Sequence, residues 1–269
     1  MARGKERLDK LLVNRGLAET RSRAQALVMA GEVFVNGARA DKAGMPVAVD
    51  AELVVAESLP YVSRGGFKLA EALAQFEIDV AGRVCADVGA CTGGFSDVLL
   101  QQGALRVYAI DVGYGQLDWK IRQDERVVVM ERTNARYLEA LAEPVSFVAI
   151  DVSFISLRLI LPAVRLWLEA GPPHPGEIVA LVKPQFEAGR EQVGKGGIVR
   201  DLAVRRQVLE EMWQWTSEQG LGPQAVIRSP IEGSSGNVEF LLWLKPGRDA
   251  RLDAAQVIAA VQLDTPDQK

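Results

Sequence analysis

Between residues 83 and 219, short apolar runs alternate with stretches of helical periodicity, and this alternation narrows the fold more than any other feature of the chain. Strands are expected at 83–88, 107–111, 127–131, 146–151 and 178–183, with helices at 94–102, 114–122, 156–169 and 201–219. A strand that leads into a helix and returns to a parallel strand builds a sheet covered on both faces. Two last strands, 224–229 and 238–244, flank a short Gly-rich stretch and suit an antiparallel hairpin. Sheets of this kind bind ligands outside the carboxyl ends of their strands, so chemistry is sought there.

The first of those ends is distinctive. Arg83-Val84-Cys85-Ala86 runs into Asp87-Val88-Gly89-Ala90-Cys91-Thr92-Gly93-Gly94-Phe95, and a helix follows. Glycines in such a turn let a ligand approach the backbone closely. A nucleoside-triphosphate loop needs a Gly-Lys-Ser/Thr sequence, and no lysine is present. A dinucleotide site uses G-x-G-x-x-G, whereas this turn reads G-x-x-x-G-G. Asp87 would repel a pyrophosphate and suits a ligand with a positive end, such as the amino group and sulfonium of S-adenosylmethionine. Asp111 closes the next strand, where a carboxylate commonly accepts ribose hydroxyls. A plain tight turn, with Asp111 capping a loop, is the bland alternative.

Reading the other strand ends gives Asp151, Lys183 and Glu239, and Lys68 precedes the first strand on a helix that can return to the same rim. Lys183 follows the apolar run Ile178 to Val182, and Pro184 stops that strand from continuing its ladder. A lysine held at a buried strand end sheds its proton more readily, the more so beside a second cation such as Lys68. A neutral lysine there is a general base for a hydroxyl, with the two carboxylates orienting both lysines. The competing reading is a pair of surface salt bridges without function.

Composition removes other chemistries. The single histidine, His174, lies in the turn-rich Gly171-Pro172-Pro173-His174-Pro175-Gly176, which argues against histidine triads and histidine zinc sites. Two cysteines, Cys85 and Cys91, build neither a disulfide framework nor a zinc site, so no metal is expected. No secretory signal follows Met1, which reads as a cytoplasmic chain. The most apolar stretch, Val145 to Leu168, is interrupted by Asp151, Arg158 and Arg165, so no membrane partner is expected. The net charge of -4 hides an asymmetry: residues 1–42 carry +4 and the remainder −8. A polyanion partner is therefore expected for the N-terminal segment alone, met by Arg3, Lys5, Arg7, Lys10, Arg15, Arg21 and Arg23. That segment reads as a short helix within Leu8 to Leu17 that ends at Gly16, then a second one capped by Thr20 or Ser22 and stopped by Gly31. Strands at Glu32–Val35, before an Asn36-Gly37 turn, and at Leu53–Val55 complete it.

These residues resemble known families. The run Arg7 to Gly37 is similar to the small RNA-binding domain of a ribosomal small-subunit protein and of pseudouridine synthases. The remainder resembles the FtsJ-like ribose 2'-O-methyltransferases. Five segments in order resemble the TlyA family, whose members are often labelled hemolysins: Val62 to Leu69, Asp87 to Phe95, Ile150 to Leu157, Leu181 to Glu187 and Gly236 to Phe240. The resemblance spans roughly residues 5–246. It implies an α/β fold with a Rossmann-like S-adenosylmethionine-dependent methyltransferase sheet, mostly parallel with an antiparallel last strand, behind a small α+β RNA-binding domain. The implied boundaries are 1–58 for the RNA-binding domain, 59–63 for a linker, 64–246 for the methyltransferase and 247–269 for a tail with an Ala-rich helix.

The same resemblance implies a catalytic tetrad of Lys68, Asp151, Lys183 and Glu239, with Lys183 as base for the ribose 2'-hydroxyl. It implies cofactor contacts from Asp87, Gly89, Gly93, Gly94, Phe95, Asp111, Asn134 and Asp151, with Asn134 near the adenine. Cys91 departs from the more usual serine, a change a small side chain tolerates. The implied substrate is cytidine in ribosomal RNA of the large and, in some members, the small subunit, with no obligate protein partner. The loop Phe186 to Arg200 is long enough to close over substrate, and the target nucleotide has to leave its stack. A ribosome-assembly factor with little chemistry and a pore-forming hemolysin remain as alternative readings.

Overall fold

The computed structural model describes residues 4–29, 33–55, 60–168, 176–233, 235–250 and 253–263. Packing divides the chain into two units, Met1–Pro60 and Tyr61–Lys269.

The first unit contains β1 (Lys5–Arg7), α1 (Leu8–Asn14), α2 (Arg21–Met29), β2 (Val33–Val35), β3 (Ala38–Arg39), β4 (Pro46–Ala48) and β5 (Leu53–Val55). β1 pairs with β4, and β2 lies between β3 and β5, all antiparallel. Leu8, Leu11 and Leu12 pack with Ala24, Leu27, Val28 and Val33 in one core. Helix α1 ends at Asn14, and Gly16 at φ +69 turns the chain back, as expected of the stop. Thr20 caps α2 by accepting from the Arg23 amide (3.1 Å). Asn36 (φ +50) and Gly37 (φ +78) form the two-residue turn joining β2 to β3. Arg3, the expected helix stop at Gly31, and Glu32 lie outside the described residues.

The second unit runs α3 (Gly65–Gln75), β6 (Val84–Val88), α4 (Gly94–Gln101), β7 (Arg106–Ile110), α5 (Trp119–Arg122), β8 (Val127–Met130) and β9 (Phe147–Ile150). It continues α6 (Leu161–Trp167), β10 (Glu177–Val182), α7 (Pro184–Glu187), α8 (Leu202–Glu218), β11 (Pro223–Arg228), β12 (Phe240–Leu244) and α9 (Ala254–Ala259). Its sheet has the order β11-β12-β10-β9-β6-β7-β8. β12 runs antiparallel to both neighbours, and the other pairings in this sheet are parallel. β9 and β10 are buried at every residue, which is why their runs, apart from the ion-paired Glu177 that opens β10, are apolar rather than alternating. Separate apolar clusters cover the two faces of the sheet. Chain order reverses between β6 and β9, where a crevice opens at the strand ends.

Two expected helices differ. Over 114–122 only the turn Trp119–Arg122 is helical, capped by Asp118, because Gly115 at φ +71 holds the preceding residues in a loop. Over 156–169 a short 3-10 turn at Leu157–Leu159 precedes α6, and Pro162 sits in the first turn of α6, where its missing N–H costs nothing. The tail helix α9 is part of the packed body. Ile258 and Leu263 are buried, and Arg205 Nη1 donates to the Leu263 carbonyl (2.6 Å).

Candidate active site

The four tetrad residues come from four separate elements. Asp151 and Lys183 stand one residue past β9 and β10. Because β12 is antiparallel, Glu239 just before it reaches the same rim, with Phe240 opposite Val182. Lys68 lies in the first turn of α3, which packs tightly on the start of α4: a methyl group on Gly94 would collide with Ser63 Oγ. These placements form one alternating row of charge. Glu239 Oε2 lies 2.7 Å from Lys68 Nζ, which lies 3.6 Å from Asp151 Oδ2, and Asp151 Oδ1 lies 2.6 Å from Lys183 Nζ. Lys68 and Lys183 are each only 7 % exposed, so each needs the carboxylate it has. Lys183 Nζ also donates to Ser153 Oγ (2.8 Å).

Glu187 ties this row together from outside. Its carboxylate accepts from Ser156 Oγ (2.6 Å) and the Leu157 amide (2.7 Å), which joins the turn after Lys183 to the loop after Asp151. Burial pushes its carboxyl upward, against these two donors.

Asp87 occupies the floor of the crevice, fully buried. Its Oδ2 accepts from the Ser96 amide (2.8 Å) and Ser96 Oγ (2.7 Å), whereas its Oδ1 is buried with no partner among the described residues. Burial pushes its carboxyl up to about 7; the Ser96 bonds oppose that rise, and the charges of Asp151 and Asp111 add to it. Asp111 is fixed by amides of two glycine-rich turns, with Oδ2 accepting from Cys91 (2.8 Å) and Oδ1 from Gly113 (2.6 Å). Gly89, at φ +86, lies so close to the Asp151 carbonyl that a side chain there would collide with it.

Two cavities of about 460 and 480 Å³ share Gly89, Cys91, Asp151, Ser153 and Phe154. The first contains the tetrad and Asp87; the second is walled by Val88, Ile110, Val112, Val152 and Ile160 and reaches Asp111 and Asn134. S-adenosylmethionine has a flat purine, a diol and a cationic amino-acid end. The apolar cavity, the Asp111 carboxylate and the orphaned Asp87 oxygen match those three parts in order. The residues present therefore fit this cofactor.

Not every expected contact reaches the crevice. Gly93 lines neither cavity; at φ +92, its side-chain space is filled by Leu117 and Ile121. Phe95 touches the tetrad cavity but is mainly a core residue. Asn134 is at the rim, its Oδ1 capping a turn by accepting from the Arg136 amide (3.0 Å). In the first unit, three expected phosphate ligands have internal partners. Arg7 and Arg21 both bond the buried Asp9, and Arg15 donates to the carbonyls of Val49 and Ala51. Lys5, Lys10 and Arg23 are exposed. His174, like Arg3, lies outside the described residues. Residues that sequence reasoning passed over include Ser153, Glu187 and Phe154. Phe154 is 91 % exposed at φ +65, with its ring 5.2 Å from that of Phe186. The signal for it was an aromatic inside a polar strand-end motif, Asp151-Val152-Ser153-Phe154.

The chain is similar to known proteins in both units. The FtsJ-like methyltransferase family matches residues 61–246, and the S4 domain matches residues 6–53. The 16S/23S rRNA (cytidine-2'-O)-methyltransferase TlyA of Mycobacterium tuberculosis is 47% identical over 265 residues, 97% of each chain. Hemolysin A of Brachyspira hyodysenteriae is 39% identical over 245 residues, 87% of this chain and 98% of its own. A solved structure of a candidate hemolysin from Streptococcus thermophilus has a TM-score of 0.71 at 47% identity and covers 96% of both chains. Among the described residues, no helix is long and apolar enough to cross a membrane. The chain belongs to the TlyA family, in which an FtsJ-like methyltransferase follows an N-terminal S4 domain.

Proposed function

We propose that this protein methylates the ribose 2'-hydroxyl of cytidine in ribosomal RNA, with S-adenosylmethionine as donor. The observation that carries this reading is the alternating row Glu239–Lys68–Asp151–Lys183 beside a cofactor-shaped crevice. When bound, S-adenosylmethionine supplies an electrophilic methyl group on a sulfonium. Asp87 and Asp111 hold its cationic and diol parts, and the apolar cavity its purine. Such a transfer needs an aligned nucleophile more than covalent help from the protein.

Lys183 is the group that receives the hydroxyl proton. Asp151 Oδ1 and Ser153 Oγ accept in two directions around Nζ, which leaves a third for the 2'-hydroxyl in the cavity that Lys183 lines. Lys68, held by Glu239 on one side and Asp151 on the other, keeps Asp151 aimed at Lys183. Exposed Lys5, Lys10 and Arg23 in the S4 unit are free to meet RNA phosphates. A ribosomal RNA substrate supports a cytoplasmic setting, and no obligate protein partner is invoked.

The test is transfer of a labelled methyl group to purified ribosomal subunits and to naked ribosomal RNA, followed by mapping of 2'-O-methylated nucleotides. One or more 2'-O-methylcytidines, present only with the enzyme, are expected. Absence of transfer, or methylation confined to bases, overturns the proposal.

A further inference from the structure

The rim beside the apolar cavity carries a surface that the methyl transfer itself does not use. The turns that follow β7 and β8 lie side by side: the Arg132 amide donates to the Gly113 carbonyl (3.0 Å) and the Thr133 amide to the Asp111 carbonyl (2.9 Å). Together with the first residue of α5, they expose Tyr114 (67%), Trp119 (68%) and Tyr137 (72%). The Arg132 guanidinium lies 4.2 Å from the Tyr114 ring centroid, and that of Arg136 lies 5.4 Å from the Tyr137 centroid. Among the described residues, neither guanidinium has a carboxylate within ion-pair distance. The nearby Glu131 is taken by Arg122 and by the Gly115 amide. Arg132 is held in this place at φ +54, a backbone conformation a side chain rarely adopts.

Three large aromatic side chains left two-thirds exposed on neighbouring turns call for a covering ligand with flat faces. Aromatic rings interleaved with unpaired guanidiniums suit unstacked nucleotides, whose bases stack on the rings while phosphates meet the cations. Charge favours RNA over a protein face. Residues 43–269 carry a net −8, and in these turns Asp111 and Glu131 are tied up by backbone amides and Arg122, so Arg132 and Arg136 are the cations left to meet phosphates on this rim. The position is also suitable. The end of β8 stands three strand spacings from the end of β9, where Asp151 sits, about 14 Å away along the sheet. That is within a few nucleotides of the target ribose on the same strand.

We infer that the turns 111–119 and 131–137 form a stacking platform for unpaired RNA flanking the target nucleotide. This inference rests on the reading of the protein as an RNA methyltransferase. Two double variants test it in the full-length enzyme: Tyr114→Ala with Tyr137→Ala, and Arg132→Gln with Arg136→Gln. Calorimetric affinity for S-adenosylmethionine checks that each variant remains folded and its cofactor crevice intact, because Val112 and Asn134 line that crevice. The tyrosine pair should raise KM for ribosomal RNA at least tenfold and leave kcat within twofold, and Tyr114→Phe with Tyr137→Phe should restore it. The arginine pair should flatten the slope of log affinity against log salt by about 1.4, or about 0.7 for each phosphate that is no longer neutralised. Leu166→Ala, an exposed apolar residue on α6, should change nothing. Unchanged KM and salt slope in both pairs overturns the inference. A defect on intact subunits that vanishes on naked RNA overturns it in favour of a ribosomal protein. Should the wild type methylate no RNA, the proposed methyltransferase function falls, and equilibrium binding of naked ribosomal RNA by wild type and variants still decides the platform.

Discussion

Two buried aspartates, one in each unit, have opposite fates. Asp9 accepts four hydrogen bonds, two from Arg7 and one each from Arg21 and Gln25. The Arg7 guanidinium beside it holds its carboxyl well below the usual carboxylate range, despite burial. Asp87, also shut off from solvent and set deeper, has only the two bonds from Ser96 and one oxygen with no partner among the described residues; burial dominates and its carboxyl rises to about 7. Neither carboxylate touches solvent, but Asp87 is the more deeply enclosed, so depth of burial and supply of donors both make the difference. A saturated buried charge ties helices together, whereas an unsaturated one is stable in its ionised form only when a ligand completes it. Lys68 lies between two carboxylates, whereas Lys183 pairs with one carboxylate and one hydroxyl; both line the cavity, and the open direction at Lys183 is the one assigned to the 2'-hydroxyl.

The largest effect tests whether that open direction does chemistry. Lys183→Ala should lower kcat about a thousandfold, the scale of a lost general base, while cofactor affinity stays within twofold. Single-turnover methylation and calorimetry measure the two quantities. Turnover near the wild-type level would reduce Lys183 to a structural ion-pair partner of Asp151.

A smaller change is expected at Asp87. Asp87→Asn should weaken S-adenosylmethionine binding about thirtyfold at pH 7.5, the equivalent of a charge-assisted hydrogen bond of about 2 kcal/mol. The pH dependence sharpens this. A cationic ligand favours ionised Asp87, so binding to the wild type expels a proton below pH 7. Affinity should therefore climb by up to tenfold per unit between pH 5.5 and 7 and then level off. In Asp87→Asn the profile should be flat. For stability the sign is the reverse: a carboxyl raised from about 3.9 in the unfolded chain imposes a cost that grows as pH rises from about 4 to 7. A wild-type binding profile with no slope below pH 7 would place Asp87 with Asp9 as a structural anchor.

The sheet was legible because its strands are buried on both faces, so β9, and β10 after Glu177, read as unbroken apolar runs whatever their neighbours. The tetrad was legible through topology: Lys68 and Glu239, 171 residues apart, meet because strand ends share a rim. What escaped notice depends on partners rather than on pattern. β1 is the polar tripeptide Lys5-Glu6-Arg7 and shows no alternation, so its pairing with β4 leaves no trace in the sequence. Asp9 in the first turn of α1 reads as a routine dipole partner, and counting charges left Arg7, Arg15 and Arg21 free when each is engaged inside the fold. The glycine loop before α5 and the Phe154 backbone at φ +65 are likewise set by packing after the sheet has formed.

The smallest effect bears on Asp9, the saturated member of the pair. Asp9→Asn keeps one acceptor and lets the half-exposed guanidiniums of Arg7 and Arg21 return to water, so the first unit should lose about 1.5 kcal/mol rather than unfold. Amide hydrogen exchange over residues 4–55 of the full-length protein measures that loss without requiring the unit to fold alone. Because the native carboxyl lies below its unfolded value of about 3.9, its stabilisation is complete above that pH. It is lost as pH falls from there toward the native value, so the gap between wild type and Asp9→Asn should narrow in acid. A gap of constant size from pH 7 to pH 2.5 would mean that shape, not charge, holds α1 and α2 together, and the contrast with Asp87 would then rest on the second unit alone.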